Sequence, residues 1–108
     1  MYYVGVDLGG TNIAVGLVTE DGRIVHKDEV PTLVGRPYEE ILKDMADLII
    51  KVVKESGHSM DEVKSIGIGS PGVADDRLGE IVFANNLYWH HVPVREEIQK
   101  YIQKPVYV

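Results

Sequence analysis

Apolar and polar residues alternate twice at the start of the chain. Tyr2–Leu8 puts Val4, Val6 and Leu8 on one side, and Ile13–Thr19 does the same with Ile13, Val15 and Leu17. A period of two predicts half-buried β-strands. Glu20-Asp21-Gly22 follows, and Asp-Gly between alternating segments is a strong hairpin signal. Arg23–Val30 then predicts a third strand. Three consecutive strands joined by short turns predict an antiparallel meander.

The period then changes. Beyond a connection at Pro31–Pro37, apolar residues recur at Ile41, Leu42, Met45, Leu48, Ile49, Val52 and Val53, the three-four spacing of an amphipathic helix. Pro37 suits its first position. Glu39 and Glu40 near the start and Lys51 and Lys54 near the end complement the helix dipole, and Gly57 suits the left-handed residue that ends a helix. Val63–Gly69 predicts a fourth strand, Pro71–Gly79 a turn-rich segment and Glu80–Ala84 a short strand. Pro93–Gln103 predicts a second helix with Val94, Ile98 and Ile102 on one face, and Val106–Val108 begins another strand. The order predicts an α/β chain: a mixed sheet with helices packed on it. Its 108 residues predict one domain.

Composition mainly excludes. A net charge of −6 argues against non-specific binding to nucleic acid or an anionic membrane, both of which need basic patches. The absence of cysteine removes disulfides, thiolate zinc sites and cysteine nucleophiles. MYYVGVDLGG lacks the basic and apolar regions of a signal peptide. No apolar run reaches the roughly 18 residues of a spanning helix. The expected location is the cytoplasm.

Three stretches carry candidate chemistry. GVDLGGTN, Gly5–Asn12, sets a carboxylate, two glycines and a hydroxyl between two strands. Gly9 and Gly10 allow the backbone to approach an anion closely, successive amides in such a turn form an anion-binding concavity, and Thr11 adds a donor. Asp7 alone would repel phosphate. A Mg²⁺ ion between them removes the conflict, because Mg²⁺ is held by one or two carboxylates, waters and substrate phosphates. The competing structural explanation is a Gly-Gly hairpin with Asp7 as a turn former.

GIGSPG, Gly67–Gly72, matches the dinucleotide fingerprint in letters only. That fingerprint needs a helix to open at its third glycine, whereas Val73–Gly79 has no helical period and Pro71 lies inside the motif. It predicts a strand end and a tight turn. FANNLYWHHVP, Phe83–Pro93, sets two asparagines and an indole ahead of a helix. Asn can both donate to and accept from sugar hydroxyls, but Asn85 or Asn86 as a turn cap, Trp89 as core and His90 and His91 as surface residues are the plainer expectations.

Together, GVDLGGTN, GIGSPGVAD and ANNLYW followed by a Pro-led helix resemble the ROK family of sugar kinases and related repressors, and within it the bacterial glucokinases. Their order and spacing match over the whole chain. The resemblance implies the actin-like ATPase fold, built of two ribonuclease-H-like lobes with ATP and sugar in the cleft, of which residues 1–108 would form the N-terminal lobe. It implies that Asp7, Gly9, Gly10, Thr11 and Asn12 face the ATP phosphates and Mg²⁺, with Asp7 reaching the metal through water. Ser70, Pro71 and Gly72 would border the sugar, and Asn85 matches a sugar-binding position. It also implies phosphorylation of a hexose, glucose favoured, in a homo-oligomeric parent. An Asn-Asp pair carrying the general base, a Cys-rich zinc motif and the adenosine-binding lobe would follow Val108, so the 108-residue chain alone is expected to be inactive. Many relatives carry Lys or Arg where Asn12 or Ala14 stands, and no basic residue lies between Met1 and Asp21. Mg²⁺ and backbone amides would then neutralise the phosphate. No helix-turn-helix precedes Tyr2 in this sequence, which disfavours a repressor, and the sugar-side residues disfavour a filament-forming actin relative.

Overall fold

The computed structural model describes residues 1–108. In chain order the elements are β1 (Tyr2–Leu8), β2 (Asn12–Thr19), β3 (Ile24–Pro31), α1 (Tyr38–Glu55), β4 (Val63–Gly69), β5 (Val73–Asp75), β6 (Glu80–Ala84), β7 (Trp89–Val92), α2 (Val94–Gln99) and β8 (Val106–Tyr107). Short 3₁₀ turns at Met60–Glu62 and Asn85–Leu87 precede β4 and β7. Five strands form a sheet in the order β3-β2-β1-β4-β8, and β5-β6-β7 form a second, smaller sheet.

The meander predicted at the start is present: β1–β2 and β2–β3 are antiparallel, while β4 joins β1, and β8 joins β4, in parallel. Strand alternation fixes which face is buried. Val4, Val6, Leu8, Ile13, Val15 and Leu17 all face the core. The predicted apolar stripe of α1 is buried in full and packs on β2, β3 and α2. Ile81, Trp89 and Val92 of the small sheet, with Leu87 of the turn between β6 and β7, belong to the same continuous core. No helix is long and apolar enough to cross a membrane.

The opposite face of the large sheet is nearly bare. Gly16, Gly5 and Gly67 stand side by side across β2, β1 and β4, between Lys27 and Tyr107. Without side chains, this row leaves a hollow of about 740 Å³ with Asp7 in its lining.

Several boundaries differ from expectation. β3 begins at Ile24 rather than Arg23, whose carbonyl closes the hairpin by accepting from the Thr19 amide. Pro37 caps α1 rather than beginning it, with an extended ψ of 141°. The second helix ends at Gln99 instead of Gln103. Beyond it the Gln99 side-chain amide donates to the Lys104 carbonyl, and Pro105 disfavours helical backbone just before it. Ile102 is still buried. Within the turn-rich Pro71–Gly79, Val73–Asp75 pairs with β6, and Trp89–Val92, to which the sequence assigns no element, pairs with its other edge. Strands of three and four residues are too short for alternation to be legible.

Candidate functional site

β1 and β4 run parallel and end side by side, Asp7 pairing with Gly69. Ligands of open α/β sheets bind beyond the carboxyl ends of such strands. Asp7 is exposed on the face opposite the core, between Ala14 of β2 and Gly69 of β4. Both neighbours are too small to cover its carboxylate.

The chain reverses immediately after. The Gly9 amide donates to the Asn12 carbonyl at 2.9 Å, and a Cβ at Gly9 would stand 3.0 Å from that carbonyl oxygen. The turn is tied from behind by Thr32, just after β3. Its Oγ1 donates to the Gly9 carbonyl at 2.7 Å, and its amide donates to the Thr11 carbonyl at 2.8 Å. Thr11 and Asn12 remain exposed.

On the other side, Gly10 packs against the 3₁₀ turn between the two halves of the small sheet. A Cβ there would lie 3.2 Å from the Asn86 Cβ. The Asn85 carbonyl closes that turn by accepting from the Tyr88 amide at 3.1 Å, with Tyr88 in a left-handed conformation, φ 58°.

The β4–β5 turn borders the same region. Gly72 has φ +80°, and a Cβ there would fall 2.0 Å from the Phe83 carbonyl oxygen, so β6 lies directly against it. The Ser70 hydroxyl is buried and has no hydrogen-bond partner within the chain. A buried hydroxyl without a partner is costly. It identifies this turn as a place where a further polar group would be stabilised.

Thus Asp7, Gly9, Gly10, Thr11 and Asn12 share one strand end and loop, Ser70 and Gly72 follow the adjacent strand end, and Asn85 sits on the turn that touches Gly10. GIGSPG is a strand end and a turn, and a short strand follows it rather than a helix. Trp89 is core, 4% exposed. His90 lies against the Phe83 ring, while His91 pairs through Nδ1 with Glu80 at 2.9 Å. Sequence reasoning missed two residues: Thr32, which carried no signal beyond being a polar residue in a connection, and Asn86, where the doubled asparagine did not say which one meets the loop.

The five-stranded order, the β1–β2 turn and the helices packed on one face are those of the actin-like ATPase fold. The model of the ROK family matches residues 3–108, and the chain belongs to that family. It is 40% identical over 106 residues to a glucokinase of Thermotoga maritima, covering 97% of this chain and 32% of that protein. It is also 32% identical over 105 residues to a xylose repressor of Caldicellulosiruptor bescii, covering 97% of this chain and 26% of that one. Among solved structures, a ROK glucokinase from Streptomyces griseus in complex with glucose and AMPPNP superposes with a TM-score of 0.86 at 33% identity, over 100% of this chain and 32% of that one. The chain therefore spans about a quarter to a third of the length of these relatives.

Proposed function

We propose that this chain is the N-terminal lobe of a cytoplasmic ATP-dependent hexose kinase, with glucose the favoured sugar, and that it contributes the phosphate-binding loop and part of the sugar site. One observation carries the proposal: the Gly9–Asn12 turn, beside the open Asp7 carboxylate, is in direct contact through Gly10 with the turn bearing Asn85 and Asn86. A triphosphate on the loop and a sugar hydroxyl at the asparagines would be neighbours, as phosphoryl transfer requires. The similarity to a glucokinase crystallised with glucose and an ATP analogue supports the same pair of ligands.

The residues fit Mg²⁺ accompanied by ATP, though not a resident metal cage. No three His, Cys, Asp or Glu side chains cluster, and Mg²⁺ bound through one carboxylate needs phosphates and water for its remaining positions. Asp7 would hold it, and the ion would neutralise developing charge on the phosphates. The chain's own residues supply position. Gly10, Thr11 and Asn12 present donors to phosphate oxygens, and the turn of Ser70, Pro71 and Gly72 would border the sugar. In the transfer, the sugar hydroxyl oxygen forms a bond to the γ-phosphorus, the bond to the β,γ-bridging oxygen breaks, ADP leaves, and the hydroxyl proton passes to a carboxylate base. Catalysis of this kind is mainly positioning and electrostatics.

The base belongs to the proposed continuation beyond Val108. β8 pairs Val106 with Ile66 and Tyr107 with Gly67. Continued in the same register, the two positions after Val108 would lie beside Gly69 and Ser70. An Asn-Asp pair there would bring polar groups to the unpartnered Ser70 hydroxyl.

The xylose repressor is similar over the same residues, so a sugar-responsive regulator is the second possibility. Sugar-dependent ADP release by the full-length product of the encoding gene, measured on a hexose panel, distinguishes them. Turnover with glucose supports the kinase. Sugar binding without turnover by a folded product would overturn it. The 108-residue chain alone should give no turnover above a no-enzyme blank, since loss of a general base costs about 10² to 10⁴ in rate and loss of the second lobe removes reactant positioning as well.

A further inference from the structure

Thr32 is the one uncharged polar residue in the buried set, with 0% exposure, and all of its polar groups are engaged. Besides its two bonds to the loop, its carbonyl accepts from Arg36 Nη2 at 2.7 Å. Arg36 also donates through Nε to the Leu33 carbonyl at 3.0 Å and pairs through Nη1 with Asp44 of α1 at 3.0 Å. Between them the backbone is left-handed at Leu33, φ 53°, and Gly35, φ 96°. A left-handed leucine is uncommon and persists only where its surroundings over-determine it. Thr32–Arg36 is therefore a strap, anchored on α1 at one end and on the Gly9–Asn12 turn at the other.

We infer that Thr32 is a positioning residue that sets the direction in which the loop's amide N–H groups face, and so prepares the loop for the terminal phosphates of a nucleoside triphosphate. The inference rests on the phosphate role proposed above for this loop. Its basis is peptide geometry. In a planar trans peptide the C=O and the following N–H point to opposite sides. Thr32 holds the carbonyls of Gly9 and Thr11 toward the interior, so the N–H groups of Gly10 and Asn12 face away from it. The Gly10 amide donates to no other backbone group. Rotating the Gly9–Gly10 or the Thr11–Asn12 peptide would turn a carbonyl, and its negative end, toward the phosphates. No Lys or Arg occurs between Met1 and Asp21 to compensate, so amide direction carries more of the binding here than it would beside a cation.

The test compares Thr32→Val, which keeps the shape and removes the hydroxyl, with Thr32→Ser, which restores it, in the full-length gene product. Hydrogen–deuterium exchange over residues 9–12 and steady-state KM for MgATP and for glucose are the readouts. Loss of one such hydrogen bond should raise the KM for MgATP about tenfold, leave the KM for glucose within about twofold, and speed exchange in the loop but not in α1, with Ser close to wild type. Unchanged loop exchange and MgATP KM in Thr32→Val would overturn the inference, as would equal rises in both KM values or a Ser variant as impaired as Val. If Thr32→Val folds poorly, Arg36→Gln loosens the same strap from its α1 end and should show the same split at smaller size; an equal rise in both KM values there would likewise overturn it. A wild-type product that fails to bind MgATP refutes the phosphate role itself, whereas the exchange data still judge whether Thr32 orders the loop.

Discussion

The β1–β2 hairpin and the β4–β7 segment both contribute to the site and are held by opposite means. The hairpin is a pair of seven- and eight-residue strands in continuous register from Tyr2–Thr19 to Leu8–Ile13, with one face in the core and its turn clamped by a buried side chain, Thr32. Beyond the seven-residue β4, the β4–β7 segment is short strands with a register shift between β5 and β6, held where neighbouring atoms come too close for a side chain. Gly72 lies against Phe83 and Ala84, and Gly79, φ +69°, lies against Arg95, which would be 2.6 Å from an added Cβ. A hairpin built on alternation tolerates change at most exposed positions, whereas a ribbon built on backbone proximity is sensitive at its glycines.

Gly72→Ala tests that contrast most severely. A left-handed φ alone costs an alanine on the order of 1–3 kcal/mol, and overlap with backbone adds to it. The variant should lose about 3 kcal/mol or more of unfolding free energy by urea denaturation, with the small sheet exchanging its amides first. A loss below about 1 kcal/mol would mean that the ribbon can shift to accept a methyl.

Asp7→Asn probes the hairpin on the other axis. Asp7 is exposed, so stability should stay within about 0.5 kcal/mol. Sugar-dependent turnover of the full-length product should fall by on the order of 10², with a weaker response to Mg²⁺ titration. Retained turnover and Mg²⁺ response would remove Asp7 from the site.

Gly10→Ala addresses the seam between the two regions. The new methyl would stand 3.2 Å from Asn86 Cβ, close enough that a side chain must yield slightly. A stability cost under about 1 kcal/mol should accompany a few-fold rise in KM for both MgATP and glucose. A rise confined to MgATP would show that the contact does not couple the two halves.

The smallest effect is that of pH on exposed ion pairs. Asp28, beside β2 on the sheet edge, is held below the usual carboxylate range first by its hydrogen bond from Lys51, and Glu62 by the Ser59 amide and then His58. A carboxylate with a lowered folded-state pKa stabilises the fold above about pH 4, its unfolded value, and that contribution is lost as pH falls through the folded value. Lys51 is raised by Asp28, so its share is lost only above about pH 10.4. These pairs are exposed and screened. Lys51→Met should flatten the acid limb of the stability curve slightly, and about 1 M salt should do the same to wild type.

The long elements are legible in the residue pattern. Alternation over seven or eight residues in β1 and β2, and the three-four stripe of α1 from Ile41 to Val53, leave no other face to bury. Glycine and Asp spacing in GVDLGGTN also marked the loop correctly as the reversal between two strands. Tertiary structure alone decided the rest. β5 and β7 are strands because β6 pairs with both edges, a non-local condition that three or four residues cannot encode. That the second helix stops at Gln99 and still buries Ile102 from a turn is settled only by packing, since the apolar spacing is compatible with a longer helix. Thr32 binds a turn 23 residues earlier in the chain, and Asn86 meets Gly10 across two sheets. Neither contact has a local period, and both arise only once β3 returns alongside β2 and the small sheet folds against the large one.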